Sequence, residues 1–283
     1  MAARTSPTER QKRLGAEVRR MRTAAGMTGE YAAGLLGVDR GKISNIESGT
    51  RAISAERLRT LACNCDCGDE AYVNALVAMA QLAERGWWER YRGSLPSGLL
   101  DIAELEHHAV RMRSVHLIHM PGLLQSSDHA QAVFKAGLPP LPEHEIALRL
   151  AHRLERQRVL QSDNPTEYVG ILHEAALRMQ FGGRRVARGQ LDHLLTVSQW
   201  ANVSLRVFPF DAGSFPGAGQ TVIYVEGPVP QLDTVQIDST HGPEFLYLEA
   251  QLSKYRTQLD WMEQRALSPE ESRSFIQDIA SKL

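Results

Sequence analysis

Residues Thr28–Gly49 read TGEYAAGLLGVDRGKISNIESG, and their small, apolar and polar side chains are spaced as two short helices joined by a tight corner. Thr28 is placed to cap the first helix, whose buried stripe is expected at Ala32, Ala33, Leu35 and Leu36. Gly37 ends that helix where the chain needs a residue tolerant of positive φ, and Val38 plugs the corner. Asp39 follows as the N-cap of a second helix. Ile43 and Ile46, three apart, mark its inward face, which turns Arg40, Gly41, Lys42, Ser44 and Asn45 outward. Arg and Lys can bond guanine edges or phosphate, Asn can pair with adenine, and Gly41 lets the backbone come close. That outward set is what a helix entering the major groove of DNA requires. Thr28 and Arg51, which flank the two helices, complete the expected DNA contacts, with Arg51 meeting phosphate.

Two amphipathic helices joined by glycine arise in other settings, so the flanks matter. Before the motif, Leu14, Val18 and Met21 stand at helical spacing, with Arg10, Lys12, Arg13, Arg19, Arg20 and Arg22 at other positions of the same segment. After it, Ser54 is placed to cap a helix carrying Leu58, Leu61 and Ala62. Glu47, near the end of the second motif helix, is expected to pair with Arg22 of the first segment and so support the fold. Charge is unevenly placed along the 283 residues: 12 Lys and Arg face 6 Asp and Glu over residues 1–60, against 20 and 27 over the rest. A basic module on an acidic body suits a protein that touches DNA at one end.

The length points to two domains, expected at 1–84 and 85–283. No apolar run approaches the ~20 residues of a membrane span, and the polar start lacks a signal-peptide core, so a cytoplasmic protein is expected. Cys63, Cys65 and Cys67 alternate rather than leaving the two-residue gap of a zinc knuckle. They read as ordinary turn and core cysteines, a redox or metal sensor being the lesser alternative. From Asp69 a further helix is expected to run toward Gly86, with Ala71, Ala75, Leu76, Met79 and Leu82 on its apolar side.

Beyond it, Trp87, Trp88 and Tyr91 demand burial or a partner. Helices are expected at residues 99–110, 127–135, 142–161, 173–177 and 184–200, and strands at 115–119, 167–172, 203–208, 221–226 and 235–237. Ser268–Glu271, SPEE, has the form of a capping box with Pro269 at the first helical position. The fold class is therefore multidomain: an all-α helix-turn-helix domain followed by a mixed α/β (α+β) domain.

Five blocks, in order, carry a resemblance: RGWWERY (85–91), MPGLLQSSDHAQAV (120–133), HEAALRMQFGG (173–183), ANVSLRVFPFDAG (201–213) and LSPEESRSFI (267–276). The chain resembles actinobacterial XRE-family helix-turn-helix regulators with the C-terminal domain of Scr-type antitoxin-like, or WhiJ-like, regulators. It departs from the XRE pattern at Gly29, where such proteins usually carry a Gln that bonds phosphate or base. The resemblance implies a transcriptional regulator of development, secondary metabolism or its own operon. It also implies a small BldB-like partner protein, and an antitoxin-like role in neutralising that partner is the alternative. A homodimer on a two-fold symmetric double-stranded operator is expected, with most of the dimer contact in the second domain.

A DNA-tethered, metal-dependent enzyme is the remote alternative. His107 with His108, His116 with His119, and His173 beside Glu174 are its only candidates, and each is weak. A three-residue separation on a strand sends the two rings to opposite faces, and His173-Glu174 lacks the second histidine of a zinc-hydrolase helix. No phosphate loop or nucleophile elbow is present. The expectation is therefore no enzyme, no cofactor and no metal. A small apolar ligand among the strands near Val203–Glu226 is the competing expectation for what the second domain binds.

Overall fold

The computed structural model describes residues 6–81, 86–217 and 219–283. The chain forms two compact units, Met1–Arg90 and Tyr91–Leu283, so that Trp87 and Trp88 belong to the first and Tyr91 to the second. The boundary expected at 84/85, Leu82 of the expected apolar stripe, and Arg85 all lie outside the described residues.

The first unit is helical: α1 (Glu9–Ala24), α2 (Gly29–Leu35), α3 (Arg40–Glu47), α4 (Ala55–Asn64) and α5 (Glu70–Gln81). Each start is set by a local signal. Thr8 and Gln11 close a capping box on α1, and Thr28, Asp39 and Ser54 accept the N3 amides of α2, α3 and α4. Val18, Ala32, Ile43, Ile46, Leu58 and Leu76 are fully buried, each large aliphatic side chain contributing about 1.5–3 kcal/mol. Leu14, Leu35 and Val38 are only half-buried. Ala71, expected on the apolar side of α5, is exposed, and Tyr72, Val73 and Val77 join Ala75 and Leu76 inside. The reason is a polar network. Glu17 lies buried on α1, pairing with Arg13 (3.1 Å) and Arg20 (2.7 Å) and accepting the Tyr72 hydroxyl, which rotates α5 to bring Tyr72 inward. Arg13 is thus a buried residue of the unit, not one of its solvated cations.

The second unit is built on one mixed sheet. Its strands are β1 (Arg111–His116), β2 (Glu167–His173), β3 (Val203–Phe208), β4 (Val222–Glu226), β5 (Thr234–Ser239) and β6 (Gly242–Leu246), ordered β3-β2-β1-β4-β5-β6. The first three run parallel, joined by helical crossovers: α7 (Ser127–Lys135) and α8 (Glu143–Arg156) after β1, then α9 (Glu174–Arg178) and α10 (Arg184–Val197) after β2. β4 then pairs antiparallel with the other edge of β1, and β5 and β6 follow as a meander. α6 (Ser97–His107) precedes the sheet, and α11 (Glu249–Arg265) and α12 (Pro269–Ser281) close the chain.

Alternation along the strands separates two cores. On one face Met112, Leu172, Leu205 and Val207 pack with Leu191 and Leu194 of α10 and Ile276 of α12. On the other, Val115, Ile171, Phe208 and Tyr224 pack under Leu252, Leu259 and Met262 of α11. The expected class, helical then mixed α/β, is what the chain adopts. Several boundaries differ. β1 begins at Arg111, four residues before the expected strand, and ends at His116, leaving His119 outside it. The expected helix at 142–161 ends as α8 at Arg156 and continues as a 3-10 turn to Leu160. Neither β6 nor α11 is among the elements expected from the sequence.

Candidate nucleic-acid interface

The geometry of α2, its corner and α3 follows from capping. Thr28 Oγ1 accepts the Tyr31 amide at 3.1 Å, so its hydroxyl proton stays free to donate outward. Gly37, at φ +60°, turns the chain so that the Val38 amide reaches the Ala33 carbonyl at 2.9 Å. Asp39 Oδ1 accepts the Lys42 amide at 2.8 Å and its Oδ2 meets Lys42 Nζ at 3.0 Å. The Lys42 side-chain bond, then its amide, holds the Asp39 carboxyl below its ordinary pKa. Lys42 is therefore partly committed to its own helix.

Ile43 and Ile46 are buried, and Arg40, Gly41, Ser44 and Asn45 are exposed on the opposite face. Among the described residues, Arg40 and Arg51 make no ion pair, and the Asn45 side-chain amide donates no hydrogen bond. Three groups are thus presented with unused donors. The Asn45 carbonyl, by contrast, collects the Arg51 amide (3.0 Å), the Thr50 hydroxyl (3.0 Å) and the Ser48 hydroxyl (3.1 Å). That hub folds the loop after α3 and fixes Arg51 next to the exposed face.

Behind this face, Arg22 binds Glu47 through both terminal oxygens (Nε–Oε1 2.5 Å, Nη2–Oε2 3.1 Å) and gives Nη1 to the Met27 carbonyl at 2.6 Å. One guanidinium thereby joins the end of α1, the approach to α2 and the end of α3. The bond to Glu47 raises the Arg22 pKa above its ordinary value against the cost of burial.

Three contributors escape a reading of the motif alone. Gly15 lets α1 meet α3 backbone to backbone, since a Cβ there would sit 2.5 Å from the Ile46 carbonyl oxygen and 2.7 Å from that of Glu47. Arg57 of α4 donates to the Leu36 carbonyl at 3.3 Å, supporting the end of α2. Tyr31, 60% exposed on α2, stands beside the cap of the motif. Only Gly15 left a trace in the sequence, as a glycine inside an otherwise regular helical pattern.

Of the remaining candidates, His116 ends β1 and His119 lies beyond it, whereas His173 and Glu174 are structurally occupied. His173 Nδ1 caps α9 by accepting the Ala175 amide at 3.1 Å, and Glu174 pairs with Arg178 at 2.7 Å while accepting the Phe210 amide at 2.9 Å. The His107 and His108 rings stack edge to face, 4.9 Å apart, at the end of α6. The cysteines are free thiols; burial, then Cys67, raises the Cys65 pKa, and its Sγ lies 3.7 Å from Met27 Sδ. Among the described residues no group of three His, Cys, Asp or Glu is arranged to hold a metal, and no helix is long and apolar enough to cross a membrane. Between the sheet and α11, Val115, Val222, Phe215, Leu259 and Met262 line a cavity of about 280 Å³, rimmed by Lys254 and other polar side chains.

The first unit is a helix-turn-helix DNA-binding domain: residues 13–76 match the family described as "Helix-turn-helix domain". Residues 99–278 match the family described as "Domain of unknown function (DUF5753)", and the chain belongs to that family. No curated protein and no solved structure matches it.

Proposed function

We propose that the protein is a sequence-specific transcriptional regulator that reads operator DNA with α3 and uses its second unit to receive a signal. The observation that carries this reading is the exposed set Arg40, Ser44 and Asn45 on a helix pinned from behind by Arg22 and Glu47. A reading helix needs donors left unused by its own fold and a rigid seat. Arg40 and Asn45 are assigned to base edges. Thr28, Lys42, Ser44 and Arg51 are assigned to phosphate or adjacent groups, with Gly41 at the point of closest approach. One recognition helix spans only a few base pairs, so a homodimer on a two-fold operator, with half-sites ~34 Å apart, is part of the proposal.

The second unit, on this reading, binds rather than transforms, which the structural use of His173 and Glu174 supports. Its resemblance to antitoxin-like regulators of actinobacteria adds a small BldB-like protein as a partner. By linkage, a partner that prefers the DNA-free form weakens operator binding by the same factor. Selection of full-length protein on a random DNA pool tests the central claim. Enrichment of an inverted repeat with one-turn spacing is the expected result, and binding without any sequence preference overturns it.

A further inference from the structure

The second unit buries polar groups in two ways. Most are matched: Glu106 holds Arg156 at 2.6 and 2.8 Å, Ser114 meets the Tyr168 hydroxyl at 2.6 Å, and Asp233 takes the Tyr224 hydroxyl at 2.7 Å. One cluster is not. His116 Nε2, both ring nitrogens of His129, Nε of Arg153 and Oε1 of Gln236 are sealed from solvent and meet no hydrogen-bond partner among the described residues. Buried donors and acceptors are satisfied in the great majority of cases, so five orphans in one place call for an occupant.

The register brings them together. Ser114, Ile223 and Gln236 pair across β1, β4 and β5 and so share a face; two residues further along that face stand His116 and Asp238. Arg153 of α8 lies with its guanidinium 4.2 Å over the Phe134 ring and gives Nη1 to Gln125 at 2.7 Å. His119 and His129 flank the Phe181 ring at 4.9 and 5.6 Å. His119 and Asp238 reach solvent, while His116, His129 and Gln236 are at most 4% exposed. The cluster therefore runs from exposed residues to buried ones.

Its charge is unbalanced. Among the described residues Arg153 forms no ion pair; Glu106 is held by Arg156, and Asp238 acts on Arg153 only at longer range. Burial, then the nearby Arg156, pushes Arg153 down to about 9. Burial, with His119 next, drives His116 to about 3 and His129 to about 4, so both rings are neutral at neutral pH and each offers one donor and one acceptor. A lone, desolvated guanidinium beside neutral imidazoles and an amide oxygen suits an anion bearing hydroxyl groups, and it repels a metal ion.

We infer that this cluster is a binding site for a small hydroxylated anion, whose charged group meets Arg153 and whose hydroxyls meet His116, His129 and Gln236. The site goes beyond the proposed regulatory function, and it stands whether or not its occupant alters DNA binding. The test titrates full-length protein with malate and with glycerol 3-phosphate at constant ionic strength, following the His119 and His129 ring resonances and the thermal midpoint. At least one probe is expected to move both rings along one saturable curve, with Kd of about 1 mM or tighter, and to raise the midpoint. Arg153→Met should lose this response without a lower ligand-free midpoint, because it removes an unpaired buried charge. His129→Phe, which fills similar space without ring nitrogens, should weaken binding at least tenfold and serves if the first variant does not fold. Neither probe moving the rings at ten times that concentration, or both variants responding as the parent does, overturns the site.

Discussion

The two units handle polar side chains in opposite ways. In the first, the buried carboxylates are matched by the Arg13–Glu17–Tyr72 and Arg22–Glu47 networks, and the unused donors of Arg40, Asn45 and Arg51 face outward. In the second, unused donors and acceptors face inward, around Arg153. The difference matches the size of what each can hold. A DNA duplex is a large polyanion that must be met by a protruding surface, whereas a small anion can be enclosed. Rigid support is needed in the first case and stability is given up in the second.

The largest effect is expected at Gly15. A methyl group there would sit 2.5 Å from a backbone oxygen of α3, and backbone cannot move aside as a side chain can. Gly15→Ala should cost the first unit about 3 kcal/mol or more and abolish specific DNA binding, while leaving the calorimetric transition of the second unit in place. Retained operator affinity would show that α3 does not depend on its seat against α1.

Glu47→Ala tests the same seat from its polar side. Arg22 would keep only the Met27 carbonyl while its guanidinium stays largely buried, with a loss of about 2–3 kcal/mol in thermal or denaturant unfolding. Specificity among operator variants should change less than stability does. Asn45→Ala should do the reverse, losing about 1–3 kcal/mol at one operator position with little change in unfolding. Arg51→Ala should weaken operator and random DNA alike and reduce the salt dependence of binding. Equal losses on both DNAs for Asn45→Ala would remove its assignment to a base.

What could be read without coordinates follows the same division. α2 and α3 were legible because caps, corner glycine and apolar spacing all lie within two dozen residues. α11 was not: mostly polar residues, Ser253, Lys254, Arg256, Thr257 and Gln258 among them, stand between its buried Leu252, Leu259 and Met262, and its N-cap, Leu248, makes no side-chain cap. β6 is a short edge strand opening on Gly242-Pro243, which carries no alternating pattern. The start of β1 was hidden by Arg113, a cation in a strand position, which is buried because Asp260 and Glu263 of α11 meet it at 2.6 and 3.0 Å. The cluster around Arg153 was least legible of all. His116, His129, Arg153 and Gln236 come from separate elements, and only the sheet register and the crossover bring them together.

The buried histidines give the second unit a pH signature that the first should lack. His116 and His129 titrate below the ordinary histidine value in the folded chain, so between about pH 6.5 and 4 the unfolded chain binds protons that the folded one refuses. Stability should accordingly fall as pH drops through this window, by up to about 1.4 kcal/mol per pH unit for each such group. Unfolding of the second unit followed from pH 7 to 4.5 measures the slope, and His129→Phe should make it shallower. An unchanged slope in that variant would mean that the His129 ring is not held neutral by its surroundings.

The smallest effect is expected where the chain departs from the usual helix-turn-helix pattern. Gly29 opens α2 directly after its cap, and a Cβ there would meet only Ile43 Cγ2 at 4.0 Å, an ordinary contact. A side chain is thus excluded there neither by contact at its Cβ nor by backbone conformation. Gly29→Gln should stabilise α2 by removing a flexible glycine, by about 0.5–1 kcal/mol. It should also place an amide next to Thr28 and Tyr31, where one added hydrogen bond to phosphate or base would strengthen DNA binding by about 0.5–1.5 kcal/mol. Comparing operator with random DNA separates the two contributions. A gain on both points to phosphate, and a gain on the operator alone points to a base edge. A rise in thermal midpoint with no gain on either DNA would place residue 29 away from the duplex, and α2 would then have to be drawn back from the docked position that Thr28 and α3 define.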